Sequence, residues 1–156
     1  MDDLYDLNEI QQEIRDLAGQ LAKEQIAPVA AKYDESQEFP WEVMKVLADA
    51  DLFGVYIDEE YGGLGGGVFE LVLVVEQLSM ACGGISLGLA GTALGTFPIL
   101  LYGSHEQKKK YLPDIASGKK LAAFAVTESE AGSDASNINT TAKKVDGGYL
   151  LNGTKQ

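Results

Sequence analysis

The sequence FAVTESEAGSD, at residues 124–134, decides which fold is expected for the chain. The apolar run 121–127 predicts a strand, and the polar, glycine-containing residues after it predict a loop. Such a loop offers a row of backbone N–H groups together with the hydroxyls of Thr127 and Ser133. These donors suit a neutral heterocycle with carbonyl and ring-nitrogen acceptors, or a phosphate. Taken alone, the residues are compatible both with a cofactor loop and with an ordinary strand-to-loop turn.

Helical patterns precede this stretch. An apolar stripe with the spacing i, i+4, i+7 and i+11 predicts a first helix. The stripe consists of Ile10, Ile14, Leu17 and Leu21. Pro28 predicts a break, and Pro40 predicts the start of a helix through about residue 50, because proline is tolerated in a first turn. Ser104 and Gln107 have the spacing of a capping box and predict the start of another helix.

Two apolar segments, 68–80 and 85–102, predict helices that are buried on all sides. The uncharged run 81–103 is long enough to cross a bilayer. Its glycine, serine and threonine content and Pro98 favour a helix in a protein core, so no membrane span is expected. Gly91 and Gly95 lie four residues apart on one helix face. They predict the close approach of a neighbouring backbone or of a ligand.

Strand patterns appear after Gly118. Residues 139–145 and 149–151 predict paired strands around the turn at residues 146–148. The expected fold class is therefore mainly α, with an N-terminal helical bundle followed by the first strands of a β-barrel-like domain. We expect the helical domain at residues 1–118 and the start of a β-domain, which continues beyond this sequence, at residues 119–156.

Composition narrows the classes of function. The chain has 24 acidic and 12 basic residues, for a net charge of −12. A surface this negative repels phosphate backbones, so no nucleic-acid partner is expected. Cys82 is the single cysteine, which precludes an intrachain disulfide and fits a reducing compartment. The acidic N-terminus shows no targeting segment, and no metal site is expected.

The stretch at residues 125–134 resembles the signature of the acyl-CoA dehydrogenase family. Further segments agree with that family in the same order along the chain. They are EEYGGLG at 59–65, YGSHEQKKKYLP at 102–113 and LLNGTK at 150–155. The resemblance covers essentially the whole chain, and its most specific part is the Thr-Glu-x-x-Ala-Gly-Ser-Asp core.

The resemblance implies a flavoenzyme. The family has an N-terminal helical domain, a central β-domain and a C-terminal four-helix domain, with FAD between the last two. It oxidises an acyl-CoA thioester to the trans-2-enoyl-CoA: a glutamate removes the α-proton and the β-hydride passes to flavin N5. An electron-transferring flavoprotein is the implied acceptor. A homotetramer is the implied assembly, in the bacterial cytoplasm or the mitochondrial matrix.

The resemblance also implies particular site residues. The cofactor-binding set is Phe124, Ala125, Val126, Thr127, Glu128, Ala131, Gly132 and Ser133. Thr127 would bond the flavin edge near N5 and O4, and Ser133 would meet the pyrophosphate or the bound acyl-CoA. Ala90 and Leu94 would form part of the acyl pocket wall. The family's catalytic glutamate lies downstream, so no catalytic residue is expected here, and Glu128 is expected to have a structural hydrogen-bonding role.

Two other functions are compatible with the residues. One is a flavin oxidase or monooxygenase on the same scaffold. A downstream residue other than a carboxylate, facing the substrate α-carbon, would indicate that function. The other is a helical module that binds a partner without flavin. Flavin absorbance of the full-length protein separates that module from the enzymes.

Overall fold

The structure is a computed structural model that describes residues 6–156. It is mostly helical and divides into two compact units, the first ending at Ala123 and the second spanning Phe124–Gln156. The mainly α fold class is therefore confirmed. The expectation of no targeting segment rests largely on residues 1–5, which lie outside the described residues.

The first unit consists of helices, with a longer connection at residues 50–67 that contains the 3-10 helices Leu52–Gly54 and Glu59–Tyr61. The α-helices are α1 (Glu9–Leu21), α2 (Ala30–Ser36), α3 (Trp41–Asp49), α4 (Val68–Ala81), α5 (Gly83–Tyr102) and α6 (His105–Ala116). A π-helical segment, Ala22–Ile26, continues α1 before the predicted break at Pro28. Each predicted helix is present, and their bounds agree closely with the sequence patterns.

Capping boxes begin two of these helices. The Ser104 hydroxyl accepts from the Gln107 N–H, and the Gln107 side chain accepts from the Ser104 N–H at 2.8 Å, as predicted. The same reciprocal pair joins Asn8 and Gln11 at the start of α1. Each box satisfies N–H groups that have no partner inside the helix.

The core of this unit forms where α1, α3, α4, α5 and α6 meet the turn Leu52–Gly54. The largest fully buried side chains are Phe53, Ile26, Leu47, Leu52, Ile57, Leu78, Leu89 and Leu112. Gly118 follows α6 with a positive φ of 65°, and a Cβ there would collide with Ala48. The helical part of the chain therefore ends at a position that only glycine can occupy without strain.

Helices α4 and α5 are not buried on all sides, so that prediction is wrong. Leu87, Leu94 and Leu101, seven residues apart along one face of α5, are 64%, 52% and 68% exposed. Helix α4 likewise exposes Val72 and Met80. Helix α5 is apolar all round and α4 nearly so, but within the described residues neighbours cover only one side of each.

Helix α5 is long and apolar enough to cross a membrane, with a mean hydropathy of 1.6 over its best window. Its covered side packs against α2, α3, α4 and α6. Ser86, Thr92 and Thr96 are buried on that side, and the Thr92 and Thr96 hydroxyls donate to carbonyls of the preceding turn. This side of α5 therefore has the packing of a helix in a protein core, while the opposite face is exposed.

The two glycines of α5 differ in their surroundings. A Cβ at Gly95 would lie 2.8 Å from the backbone nitrogen of Ala123, whereas a Cβ at Gly91 would meet nothing within 4 Å. Gly95 is thus the position where another backbone approaches the helix, and Gly91 faces open space.

The second unit contains one β-hairpin. Strands β1 (Thr141–Val145) and β2 (Gly148–Asn152) pair antiparallel, with Lys143 opposite Leu150. Gly147 in the turn has a φ of 76°, a conformation that favours glycine. This hairpin agrees with the predicted pair of strands.

The strand predicted at residues 121–127 is absent from the described structure. A strand requires a ladder of backbone hydrogen bonds, and no segment of residues 6–156 forms one with it. A single bond is present, from the Gln156 N–H to the Thr127 carbonyl at 2.9 Å. The strand prediction is therefore wrong: apolar composition favours a strand, but it does not supply a pairing partner.

Matched alanine substitutions in α5 test the close approach at Gly95. Alanine is favoured over glycine in a helix, so Gly91→Ala should raise the free energy of unfolding by up to about 1 kcal/mol. Gly95→Ala should have a free energy of unfolding about 1–3 kcal/mol below that of Gly91→Ala, because its Cβ overlaps the Ala123 backbone. Urea denaturation followed by circular dichroism measures both. Equal stabilities would contradict the packing described here.

Candidate functional site

A tight turn shapes the loop that carries the motif. The backbones of Glu128 and Ala131 exchange two hydrogen bonds, of 3.0 and 3.1 Å. Ala131 is buried at the base of this turn. The Asn137 amide donates to the Glu130 carbonyl at 3.0 Å and holds the far side of the loop. Gly132 follows the turn and is exposed.

Thr127 has its carbonyl engaged but its donors free. The carbonyl accepts from Gln156, and the preceding carbonyl of Val126 accepts from the Lys155 ammonium group at 2.8 Å. Across residues 6–156 the Thr127 N–H and hydroxyl have no hydrogen-bond partner, and the residue is exposed. The Ser133 hydroxyl is likewise exposed and without a partner in the described chain. These groups can donate to an external acceptor.

The apolar residues before Thr127 differ in exposure. Phe124 is half exposed, Ala125 is exposed and Val126 is half-buried. Together with Thr127 they form a segment without helix or strand at the start of the second unit. The segment places exposed apolar side chains near the free donors of Thr127, a combination that suits an aromatic heterocycle.

Glu128 faces the opposite way, into the unit. Its carboxylate accepts from the N–H groups of Asn139 at 2.7 Å and Thr140 at 3.0 Å, and from Lys155 at 2.9 Å. Hydrogen bonding by Thr140, by the Asn139 N–H and by Lys155 lowers the pKa of Glu128 from 4.5 to about 2. The carboxylate is therefore a weak proton acceptor whose oxygens are already bonded, which agrees with a structural hydrogen-bonding role and not with that of a base.

Sequence reasoning did not single out Lys155. It lies 27 residues after Glu128 and entered only as part of the segment LLNGTK. Periodicity and spacing carry no information about a contact at that separation. The one available signal was that a buried glutamate needs a cationic or N–H partner.

In the first unit, Ala90 and Leu94 line one cavity together. It lies between α4 and α5, has a volume of about 380 Å³ and is almost entirely apolar. The lining residues are Leu71, Val72, Val75, Glu76, Ala90, Ala93, Leu94 and Phe97. The cavity is open to solvent along the exposed face of the two helices and can hold an unbranched apolar chain.

A second cavity, of about 410 Å³, lies at the start of α5. Asp34 and Glu38 line it together with the half-buried Cys82. Two carboxylates disfavour an anionic ligand there. The apolar cavity and the motif loop are thus the two candidate binding sites that contain predicted site residues.

Comparison with known proteins identifies the family. Residues 8–119 match the sequence model described as "Acyl-CoA dehydrogenase, N-terminal domain". The chain therefore belongs to the acyl-CoA dehydrogenase family.

Two curated relatives are similar over nearly the whole chain. A probable medium-chain specific acyl-CoA dehydrogenase 2, mitochondrial, of Caenorhabditis briggsae is 43% identical over 97% of this chain and 37% of its own length. An acyl-CoA dehydrogenase of Bacillus subtilis is 41% identical over 91% of this chain and 38% of its own. The chain thus spans less than half the length of these relatives, one bacterial and one mitochondrial.

Solved structures agree. A structure described as an electron transferring flavoprotein of Acidaminococcus fermentans has a TM-score of 0.92 and 38% identity, over 99% of this chain and 40% of that one. An acyl-CoA dehydrogenase of Bacillus anthracis complexed with FAD has a TM-score of 0.88 and 37% identity, over 98% of this chain and 27% of that one. The fold of the described residues is therefore that of this family.

The lowered pKa of Glu128 predicts a defined pH dependence. Above its ordinary pKa of 4.5 the carboxylate is ionised both in the folded and in the unfolded chain, and its contribution to stability is complete. As pH falls below 4.5 the unfolded chain binds a proton first, so the contribution declines until the folded pKa of about 2 is reached.

Comparing the wild type with Glu128→Gln isolates this effect. Their difference in free energy of unfolding, from urea titrations at a series of pH values, should be constant from about pH 5 to 8 and shrink below 4.5. A difference that already shrinks near pH 6, or that persists unchanged to pH 2, would show that the carboxylate is not held as described.

Proposed function

We propose that these residues are part of an FAD-dependent acyl-CoA dehydrogenase, which oxidises an acyl-CoA thioester to the trans-2-enoyl-CoA. One observation carries the proposal. Within a loop that matches the family's motif, Thr127 presents a free N–H and a free hydroxyl while its carbonyl is engaged. Family membership, and the FAD complex of the Bacillus anthracis relative, support the same conclusion.

The residues present fit FAD. The isoalloxazine edge has carbonyl and ring-nitrogen acceptors, and Thr127 has two unpaired donors within one residue. Phe124, Ala125 and Val126 supply the apolar edge beside them. Gly132 has open space around its Cα, and the Ser133 hydroxyl is free for a pyrophosphate oxygen. When bound, FAD supplies the hydride acceptor of the reaction; the chain's own groups bind and orient it.

Glu128 and Ala131 contribute differently. Their side chains are buried and Glu128 is bonded within the protein. In this proposal they belong to the cofactor site through the backbone path that they fix, not through side-chain contact. Ser133, Ala90 and Leu94 form the substrate part of the proposal.

The apolar cavity between α4 and α5 suits the acyl chain. Ala90 is small and leaves room at its wall, and Leu94 supplies apolar surface. Transfer of methylene groups from water into such a cavity is favourable by about 0.8 kcal/mol per group. The cavity therefore provides binding free energy from a part of the substrate that does not react.

No catalytic base is proposed within the described residues. The Glu128 carboxylate is bonded to Asn139, Thr140 and Lys155, and these bonds make it a weak proton acceptor. His105 lies in the first turn of α6, where its Nδ1 is 3.3 Å from the Tyr61 hydroxyl, at the surface. We therefore place the carboxylate that removes the α-proton outside residues 6–156.

The partners follow from the same assignment. An electron-transferring flavoprotein is the proposed electron acceptor, and the similarity to the Acidaminococcus fermentans structure supports it. The complete protein is proposed to be a homotetramer. Its proposed location is the bacterial cytoplasm or the mitochondrial matrix, since both bacterial and mitochondrial relatives exist.

The purified full-length protein tests this function. It should carry the visible absorbance bands of a flavin and reduce an artificial dye when given acyl-CoA substrates, with little production of hydrogen peroxide. Residues 1–156 alone, supplied with FAD, should show no such turnover, because the α-proton has no carboxylate to receive it. A flavin-free full-length protein would support the helical binding module, and rapid peroxide formation would support an oxidase.

Replacing Thr127 tests the flavin contact itself. Thr127→Ala removes one hydrogen bond, worth about 1–2 kcal/mol, and should weaken FAD binding by about 5- to 30-fold. Thr127→Ser keeps the hydroxyl and is the matched control. FAD titration of the apoprotein, followed by flavin fluorescence, gives both affinities. Unchanged affinity and an unchanged flavin spectrum in Thr127→Ala would count against the contact.

A further inference from the structure

We propose that Glu128 and Lys155 form a positioning pair for the flavin: together they fix the backbone on both sides of Thr127 and set how strongly FAD is held and reduced. The proposal rests on the proposed function, since it presumes that Thr127 meets the flavin. It assigns a role to two residues whose side chains are turned toward the protein.

The contacts place the pair around Thr127. The Lys155 ammonium group donates to the Val126 carbonyl at 2.8 Å and to the Glu128 carboxylate at 2.9 Å, so it bridges the residues before and after Thr127. The Gln156 N–H donates a hydrogen bond to the carbonyl of Thr127 itself. The carbonyls of Val126 and Thr127 are thus occupied, and Thr127 presents its N–H and its hydroxyl outward.

The carboxylate extends the same network to a third segment. Glu128 accepts from the consecutive N–H groups of Asn139 and Thr140, just before β1. A Cβ at Gly153 would overlap the Thr140 side chain. The segment that carries Gly153 and Lys155 therefore lies in direct contact with the segment that carries Thr140. Motif loop, hairpin start and the residues after β2 therefore meet at one carboxylate.

Burial makes this pair unlike the other ion pairs within residues 6–156. The Glu128 side chain is 8% exposed and that of Lys155 is 25% exposed. Removal of one partner leaves a buried charge without its counter-charge. Lys45 and Asp49 are a useful contrast, because their side chains are 75% and 65% exposed and water screens their attraction.

The pair also predicts an electrostatic signature. Lys155→Met leaves an uncompensated negative charge one residue from Thr127, which disfavours electron uptake by a nearby flavin and lowers its midpoint potential. Glu128→Gln leaves the positive charge and should raise the potential. The double variant is neutral and should lie between the two, near the wild type. A role in folding alone would not give shifts of opposite sign.

The experiment uses the full-length holoenzyme in five forms: wild type, Lys155→Met, Glu128→Gln, the double variant and the surface control Lys45→Met. FAD affinity is measured by titrating each apoprotein, and the midpoint potential by dye-coupled reduction. We expect each single variant of the pair to lose at least tenfold in FAD affinity and to shift the potential in opposite directions. Lys45→Met should match the wild type in both.

Folded single variants with wild-type affinity and potential would overturn the proposal, whatever their thermal stability. Should Lys155→Met not fold, Lys155→Arg is used instead, because it keeps the charge and changes the geometry. Weaker FAD binding at an unchanged potential then supports positioning, and wild-type affinity overturns it. A wild type without flavin overturns the proposed function and this proposal with it, and that result is seen before any variant is made.

Discussion

A buried carboxylate requires hydrogen-bond donors to replace water, and this requirement determines which segments of the second unit lie together. Glu128 obtains two backbone N–H groups from residues 139–140 and the ammonium group of Lys155. These donors belong to segments that are far apart in sequence, so satisfying one side chain brings a loop and both ends of a hairpin together. The lowered pKa of Glu128 shows that the site favours the charged form.

For function, the consequence is that adjacent residues of the segment 126–128 have different roles. Glu128 is buried and bonded inside the protein, while Thr127 beside it is exposed with two free donors. Because the carbonyls of Val126 and Thr127 are already engaged, the Thr127 N–H and hydroxyl are the groups left free to donate to a ligand. In the proposed function, this arrangement suits an acceptor-rich heterocycle such as the flavin and leaves the redox chemistry to the cofactor.

Sequence patterns predicted the helices well because amphipathic stripes, proline positions and capping boxes are local. They failed where the outcome depends on distant partners. The run 121–127 has strand composition but no ladder partner among the described residues, and the apolar α4 and α5 have only one covered side. Spacing placed Gly91 and Gly95 together, yet only Gly95 meets another backbone. Ala90 and Leu94 were named from resemblance, and the cavity that joins them was not visible in the sequence.

A crystal structure of the full-length protein with FAD bound would show directly whether Thr127 contacts the flavin. We expect the Thr127 N–H and hydroxyl to lie within hydrogen-bond distance of the isoalloxazine edge, with Lys155 still bridging Val126 and Glu128 behind it. An isoalloxazine bound elsewhere, or a Glu128 carboxylate turned outward to the cofactor with Lys155 released, would contradict it.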